Sequence, residues 1–222
     1  MLNLLTLDEK GVALAVIFGV LILVLGGAWQ GVFFLAVMLV FLAVSAAVTW
    51  LGKRKKEGIG LYEHARGWKN VLSNGIVPVG IAAGYYLNGI AGTSVSPTLI
   101  TMLYIASVAA VTADKFSSEV GVLDGEPTML LTLKRVKKGM SGGVTALGLG
   151  ASLLGALIIG LSAFYVSLSI GLIAILTLSG FAGSLVDSVF GYYEEKGVGN
   201  KYTSNFICSV AGTLVCFALL AL

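Results

Sequence analysis

Within an otherwise apolar run, the stretch Ala113-Asp114-Lys115-Phe116-Ser117-Ser118-Glu119-Val120-Gly121 packs two carboxylates, two hydroxyls and a lysine together. Ionised groups so close to hydrocarbon are costly and are usually kept for function. A second polar stretch, Gly183-Ser184-Leu185-Val186-Asp187-Ser188-Val189-Phe190-Gly191, adds another carboxylate and hydroxyl at the end of a different apolar run. Asp114, Glu119 and Asp187 are hard oxygen donors, which suit a Mg²⁺ ion shared with substrate phosphates. Zinc is not favoured, because the chain has one histidine and two cysteines and no cluster of either. His64 sits in a polar loop and reads as a solvated side chain, and Cys208 and Cys216 read as small buried hydrophobes.

A third stretch, Lys137-Lys138-Gly139-Met140-Ser141-Gly142-Gly143-Val144-Thr145, places cations and glycines where an apolar run begins. Free N–H groups and the positive end of a helix dipole would make Ser141, Gly142 and Gly143 an anion site, with Lys138 beside it. Gly142 and Gly143 fit helix packing equally well. Asn70 and Asn74, one turn apart, suit either a polar ligand contact or interhelical hydrogen bonding. No Walker A pattern or kinase-type glycine loop occurs, which excludes a soluble nucleotide-binding module, and no nucleic-acid partner is expected.

The elements that must hold these groups follow from composition. Of 222 residues, 57% are hydrophobic and 11% charged, against roughly 25% charged in an average soluble domain. The expected class is an all-α, polytopic integral membrane protein, a single domain over residues 1–222. At about 20 residues per span, about seven spans fill most of the chain: about Gly11 to Leu25, on to about Leu51, about Trp68 to Leu87, a fourth ending at Asp114, Gly142 to Phe164, Ser167 to Tyr192, and Thr203 to Leu222. The first apolar stretch lacks a small-x-small cleavage site and is followed at once by another, so it is expected to be retained rather than cleaved as a signal peptide.

All 14 lysines and arginines fall on one side if the loops after spans two, four and six share a face. The positive-inside rule makes that face cytoplasmic, with the N-terminus inside and the C-terminus outside. Lys53 to Lys56 read as a topology determinant. Asn70, Asn74, Asp114 to Glu119, Ser141 to Gly143, Asp187, Ser188, Asn200 and Asn205 all lie at that face, which predicts one polar cleft open to the cytoplasm. The opposite face carries no charge.

At these residues the chain resembles a known family. Arg66-Gly67-Trp68-Lys69-Asn70-Val71-Leu72-Ser73-Asn74-Gly75, Ala113 to Gly121, Gly139 to Thr145 and Gly183 to Gly191 look like the successive signatures of the phytyl-phosphate kinase family, which includes transmembrane protein 19. The resemblance implies phosphoryl transfer from a nucleotide, CTP in plant members, to an isoprenoid monophosphate lipid in the bilayer, giving the diphosphate. It implies Asp114, Glu119 and Asp187 on Mg²⁺, with Lys138 also catalytic. Arg66, Asn70, Asn74, Ser117, Ser118, Ser141, Gly142, Gly143, Ser188, Asn200 and Asn205 would contact nucleotide or phosphate. Lys115 and Phe116 depart from a smaller, uncharged pair in many relatives. Alternatives are a cytidylyltransferase forming a CDP-lipid, an isoprenoid alcohol kinase and, more remotely, a transporter with interrupted helices. Charge confined to one face argues against alternating access.

Overall fold

The computed structural model describes residues 6–92 and 94–222; Met1 to Leu5, and Thr93 in the turn after the third expected span, lie outside the described residues. Among the described residues eight α-helices run in chain order: α1 (Glu9–Gly26), α2 (Ala28–Trp50), α3 (Lys53–Gly58), α4 (Trp68–Ala91), α5 (Pro97–Gly121), α6 (Ala146–Gly160), α7 (Ile170–Glu194) and α8 (Lys201–Leu220). A 3₁₀ turn, Leu161–Tyr165, extends α6, and two short antiparallel strands, β1 (Thr128–Met129) and β2 (Gly143–Val144), fold the loop between α5 and α6 into a ribbon.

Among the described residues six helices are long and apolar enough to cross a membrane: α1, α2, α5, α6 with its 3₁₀ extension, α7 and α8. The protein is therefore an all-α polytopic membrane protein. The third expected span is α4, whose 24 residues would reach about 36 Å at 1.5 Å per residue. Asn70, Asn74, Asn88 and Pro78 dilute its apolar character, so it is not one of the six.

Helix α5 is the centre, with 16 of its 25 residues buried. Its small side chains explain this, because they let neighbouring backbones come close. A methyl group added at Gly180 would lie 2.8 Å from the Ala109 methyl carbon; one at Gly183 or Gly212 would lie 2.7 Å from that of Ala110. Lipid offers no hydrophobic drive for helix association, so small-residue packing of this kind must hold α5, α7 and α8 together. Hydrogen bonds between helices add to it: Tyr104 donates to the Phe34 carbonyl at 2.8 Å, Ser152 to Ser184 at 3.0 Å and Ser209 to the Ser107 carbonyl at 3.2 Å. Each such bond contributes on average only about 0.6 kcal/mol. The outer faces are apolar, with Val16, Ile17 and Val20 exposed on α1 and Leu214 and Phe217 on α8.

The N-terminal segment closes one corner. Asp8 caps α1 by accepting from the Gly11 N–H at 2.6 Å, and Leu7 bridges in parallel to Arg66.

Candidate active site

Helices α5 and α7 run in the same direction and touch at Ala110 and Gly183. One turn further along are Asp114 and Asp187, so the close small-residue contact delivers the two carboxyl groups to each other. Oδ1 of Asp187 is buried and, among the described residues, has no hydrogen-bond partner. Two carboxyl groups placed together need a shared proton or a cation between them. On α5 the same face continues through Ser117, Ser118 and Gly121, at spacings of three, four and seven from Asp114, and Gly121 packs near Thr145 and Gly148.

These groups line a cleft of ≈ 420 Å³. Besides Asp114 and Asp187 it is walled by Lys115, Lys138, Lys201, Glu63, Glu194 and the hydroxyls of Ser117, Ser118, Thr145, Ser188 and Ser204. Ser141, Gly142, Gly143 and Asn205 line it as well. Asn205 also donates to Ser73 of α4 at 3.5 Å.

Helix α5 continues through Gly121 rather than stopping at Asp114, which puts Lys115 and Glu119 one turn apart on an adjoining face. Glu119 is only 7% exposed and is surrounded by cations. Its Oε2 accepts from Lys56 at 2.6 Å; its Oε1 accepts from Arg66 at 3.3 Å, from Thr49 at 3.0 Å and from Lys115. Lys56 is itself fully buried and also donates to the Val48 and Thr49 carbonyls. Glu63 joins through Arg66 at 3.2 Å, Lys115 at 3.7 Å and Lys201 at 3.6 Å. Burial pushes the Glu63 carboxyl up, but Lys201, Lys115 and Arg66 outweigh this and hold it below the ordinary carboxylate range. Its contribution to stability is therefore present above its ordinary pKa and lost as pH falls below it.

Several expected roles change with this geometry. Glu119, expected on a metal beside Asp114, has both oxygens taken by cations and holds Lys56, Arg66 and Lys115 in place. Among the described residues no group of three or more His, Cys, Asp or Glu is set to hold a metal. What remains is the Asp114 and Asp187 pair, whose unpartnered oxygen and neighbouring hydroxyls fit Mg²⁺, an ion held by one or two carboxylates and completed by water and phosphate oxygens.

The expected anion site at a helix start is also altered. Helix α6 begins at Ala146, not near Gly142, and its first turn is already capped: the Gly148 N–H donates to Thr145 at 3.0 Å and the Leu147 N–H to Asp124 at 3.3 Å. The Gly125 and Leu147 N–H groups hold Asp124 below its usual range. Ser141 donates its N–H to Glu195 at 2.8 Å. Gly142 has φ 78°, and a methyl group there would lie 2.6 Å from the Ser188 carbonyl oxygen, so it is a packing glycine between ribbon and α7. Lys138 lines the cleft while bonding the Asp124 carbonyl.

Asn70 and Asn74 do not reach the cleft. With Arg66 they line a separate slot among α1, α2 and α4, and Asn74 donates to Asn70 at 3.1 Å. Asn200 is the cap of α8, accepting from the Tyr202 and Thr203 N–H groups. The expected single cleft is thus two cavities, separated by the ion network. Sequence reasoning missed Lys56, Glu63, Glu194, Lys201 and Ser204. Ser204 donates to Glu194, and both line the cleft; Lys56 gave no signal because it lies in a run of four cations.

Residues 1–213 match the family described as integral membrane protein DUF92. The chain belongs to that family. It is 35% identical over 213 residues to an uncharacterized membrane protein of Methanocaldococcus jannaschii, covering 94% of this chain and 84% of the relative. It is 33% identical over 179 residues to Protein PGR of Arabidopsis thaliana, covering 70% of this chain and 62% of that protein. An uncharacterized membrane protein of Synechocystis is 30% identical over 172 residues, covering 73% and 62% respectively. No solved structure matches the chain. The family match spans both carboxylate stretches and the loops around the cleft.

Proposed function

We propose that the protein is a membrane-embedded kinase that transfers the terminal phosphoryl group of CTP, or another nucleoside triphosphate, to an isoprenoid monophosphate. The observation that carries this reading is the Asp114 and Asp187 pair, with its unpartnered buried oxygen, inside a cleft lined by lysines and hydroxyls at the basic end of the helices. By the positive-inside rule that end is cytoplasmic, where nucleotide is available and where a lipid phosphate keeps its head while its tail stays in the bilayer.

Mg²⁺ held by Asp114 and Asp187 would supply charge neutralisation for the phosphate oxygens. Lys115, Lys138 and Lys201 attract the nucleotide and lipid phosphates, and Ser117, Ser118 and Ser188 offer hydroxyls to their oxygens. Glu119, which also lines the cleft, fixes Lys115 and Arg66. An oxygen of the acceptor phosphate attacks the γ-phosphorus, the bond from that phosphorus to the β–γ bridging oxygen breaks, and CDP leaves. The acceptor phosphate is already largely dianionic near pH 7, so no side chain has to remove a proton. Alignment and charge stabilisation then account for catalysis.

The test is to incubate purified protein in lipid nanodiscs with each nucleoside triphosphate, Mg²⁺ and a panel of prenyl monophosphates, and to identify the products. A prenyl diphosphate appearing with a nucleoside diphosphate supports the kinase. Release of pyrophosphate with a CDP-lipid would replace it with a cytidylyltransferase, and solute flux without nucleotide turnover with a transporter.

A further inference from the structure

The kinase reading gives Glu63 no task, yet this carboxylate stands in the cleft among the cations that should meet phosphate. Its Oε2 lies 3.2 Å from Arg66 and 3.7 Å from Lys115, and its Oε1 lies 3.6 Å from Lys201. The three cations come from separate parts of the fold: Arg66 just before α4, Lys115 on α5 and Lys201 at the start of α8. Only the Arg66 contact is a hydrogen bond. Among the described residues the Lys201 ammonium makes no hydrogen bond, and Lys115 spends one of its three donors on Glu119. Two ammonium groups around one carboxylate, with donors to spare, suit a larger and more highly charged anion. A phosphate monoester carries a charge of about −1.5 to −2 near pH 7 and three acceptor oxygens, so it can bond both lysines where Glu63 does not.

Glu63 is able to give way. Its loop is anchored by the Leu61 N–H, which donates to the Lys56 carbonyl at 2.9 Å, and by the Arg66 N–H, which donates to the Thr6 carbonyl at 2.8 Å. Between these anchors Tyr62 to Ala65 make no backbone–backbone hydrogen bond among the described residues. The Glu63 side chain is 35% exposed and held by its ion pairs, so turning it out to water breaks no helix or strand. Glu119, buried and bonded to the buried Lys56, has no such freedom.

We propose, resting on the reading of the cleft as a phosphoryl-transfer site, that Arg66, Lys115 and Lys201 form a subsite for a terminal phosphate group and that the Glu63 carboxylate is the internal anion this phosphate displaces. A phosphate that binds only when Glu63 is turned away has its apparent affinity reduced by the fraction of molecules in that state. Glu63 thereby keeps the two lysines in place and sets how tightly the subsite holds its ligand.

The test measures binding rather than transfer, on the full chain in nanodiscs with EDTA present so that Mg²⁺ at the aspartates makes no contribution. The probes are geranyl phosphate, CTP and neutral geraniol. Glu63→Gln is expected to bind at least one of the two phosphates at least fivefold more tightly than wild type, with no change for geraniol; the probe that gains tells whether the phosphate is the lipid's or the nucleotide's. Glu194→Gln also removes a carboxylate from the cleft wall, at a residue bonded to Ser204, and is expected to gain less than twofold. Glu63→Gln/Lys201→Met should return to wild-type affinity or below. If Glu63→Gln does not fold, Glu63→Asp carries the test: it keeps the charge but draws it back from both lysines, and should gain at least twofold. Unchanged or weaker binding of both phosphates by the folded Glu63 variant, an equal gain in Glu194→Gln, or a gain that survives the loss of Lys201 would each overturn the proposal. Tighter phosphate binding by Glu63→Gln with no transfer in the product assay would sink the kinase reading and leave the subsite standing.

Discussion

Asp114→Asn and Asp187→Asn are each expected to lower turnover at least a hundredfold, about 2.7 kcal/mol of barrier, because each removes a charge from a partly desolvated site that must stabilise a transferring phosphoryl group. Both variants should insert and purify, since neutral Asn is no harder to place at a helix end than Asp; near-normal turnover in stable protein would remove them from the mechanism. Glu119→Gln should act differently. It leaves Lys56 buried without its anion, and breaking a buried ion pair costs about 3–5 kcal/mol, so yield and thermal stability should fall, with part of the loss recovered in Lys56→Met/Glu119→Gln. A stable Glu119→Gln variant that merely needs more Mg²⁺ would restore Glu119 as a metal ligand. The aspartates were legible in the sequence because a carboxylate in an apolar run has few structural uses. The cation network around Glu119 was not legible because, apart from Lys115 one turn before it, its partners lie 63 and 53 positions away, at Lys56 and Arg66.

The glycines of α7 set the distance between α5 and α7. A methyl group at Gly183 would lie 2.7 Å from both the Ala110 methyl carbon and the Cys208 carbonyl oxygen, so Gly183→Ala must push the helices apart one turn from the two aspartates. Overpacking of this kind costs about 1–3 kcal/mol. Turnover and melting temperature should both drop, and Ala110→Gly in the same chain should recover part of each because it removes one of the two clashes. Melting and turnover measured on the same preparations check this; an unchanged Gly183→Ala would show that the carboxylate pair does not depend on this crossing. Helix positions and the apolar character of the spans could be read from the sequence. Which neighbour each polar residue of α4 meets could not, because Asn70, Ser73 and Asn74 share one face by spacing and yet part company in the fold: Ser73 meets Asn205 of α8 while the asparagines line the slot with α1 and α2.

Over the whole molecule, charge is gathered at one end of the helices. Cysteines placed near Lys55, Glu126 and Glu195 should react only with reagents on the cytoplasmic side and one at Gly92 only from outside. Glu126 and Gly92 reacting from the same side would contradict the arrangement of spans that brings the cleft-lining loops together. The most direct measurement of what the cleft does is a paired label experiment in nanodiscs, with CTP labelled either at its γ-phosphate or at its α-phosphate, Mg²⁺ and a prenyl monophosphate, using wild type and Asp187→Asn. The account predicts that the γ-label alone moves to the lipid, that the α-label stays in CDP, and that the variant transfers at least a hundredfold more slowly; an α-label on the lipid, or transfer at the wild-type rate by stable Asp187→Asn, would contradict it.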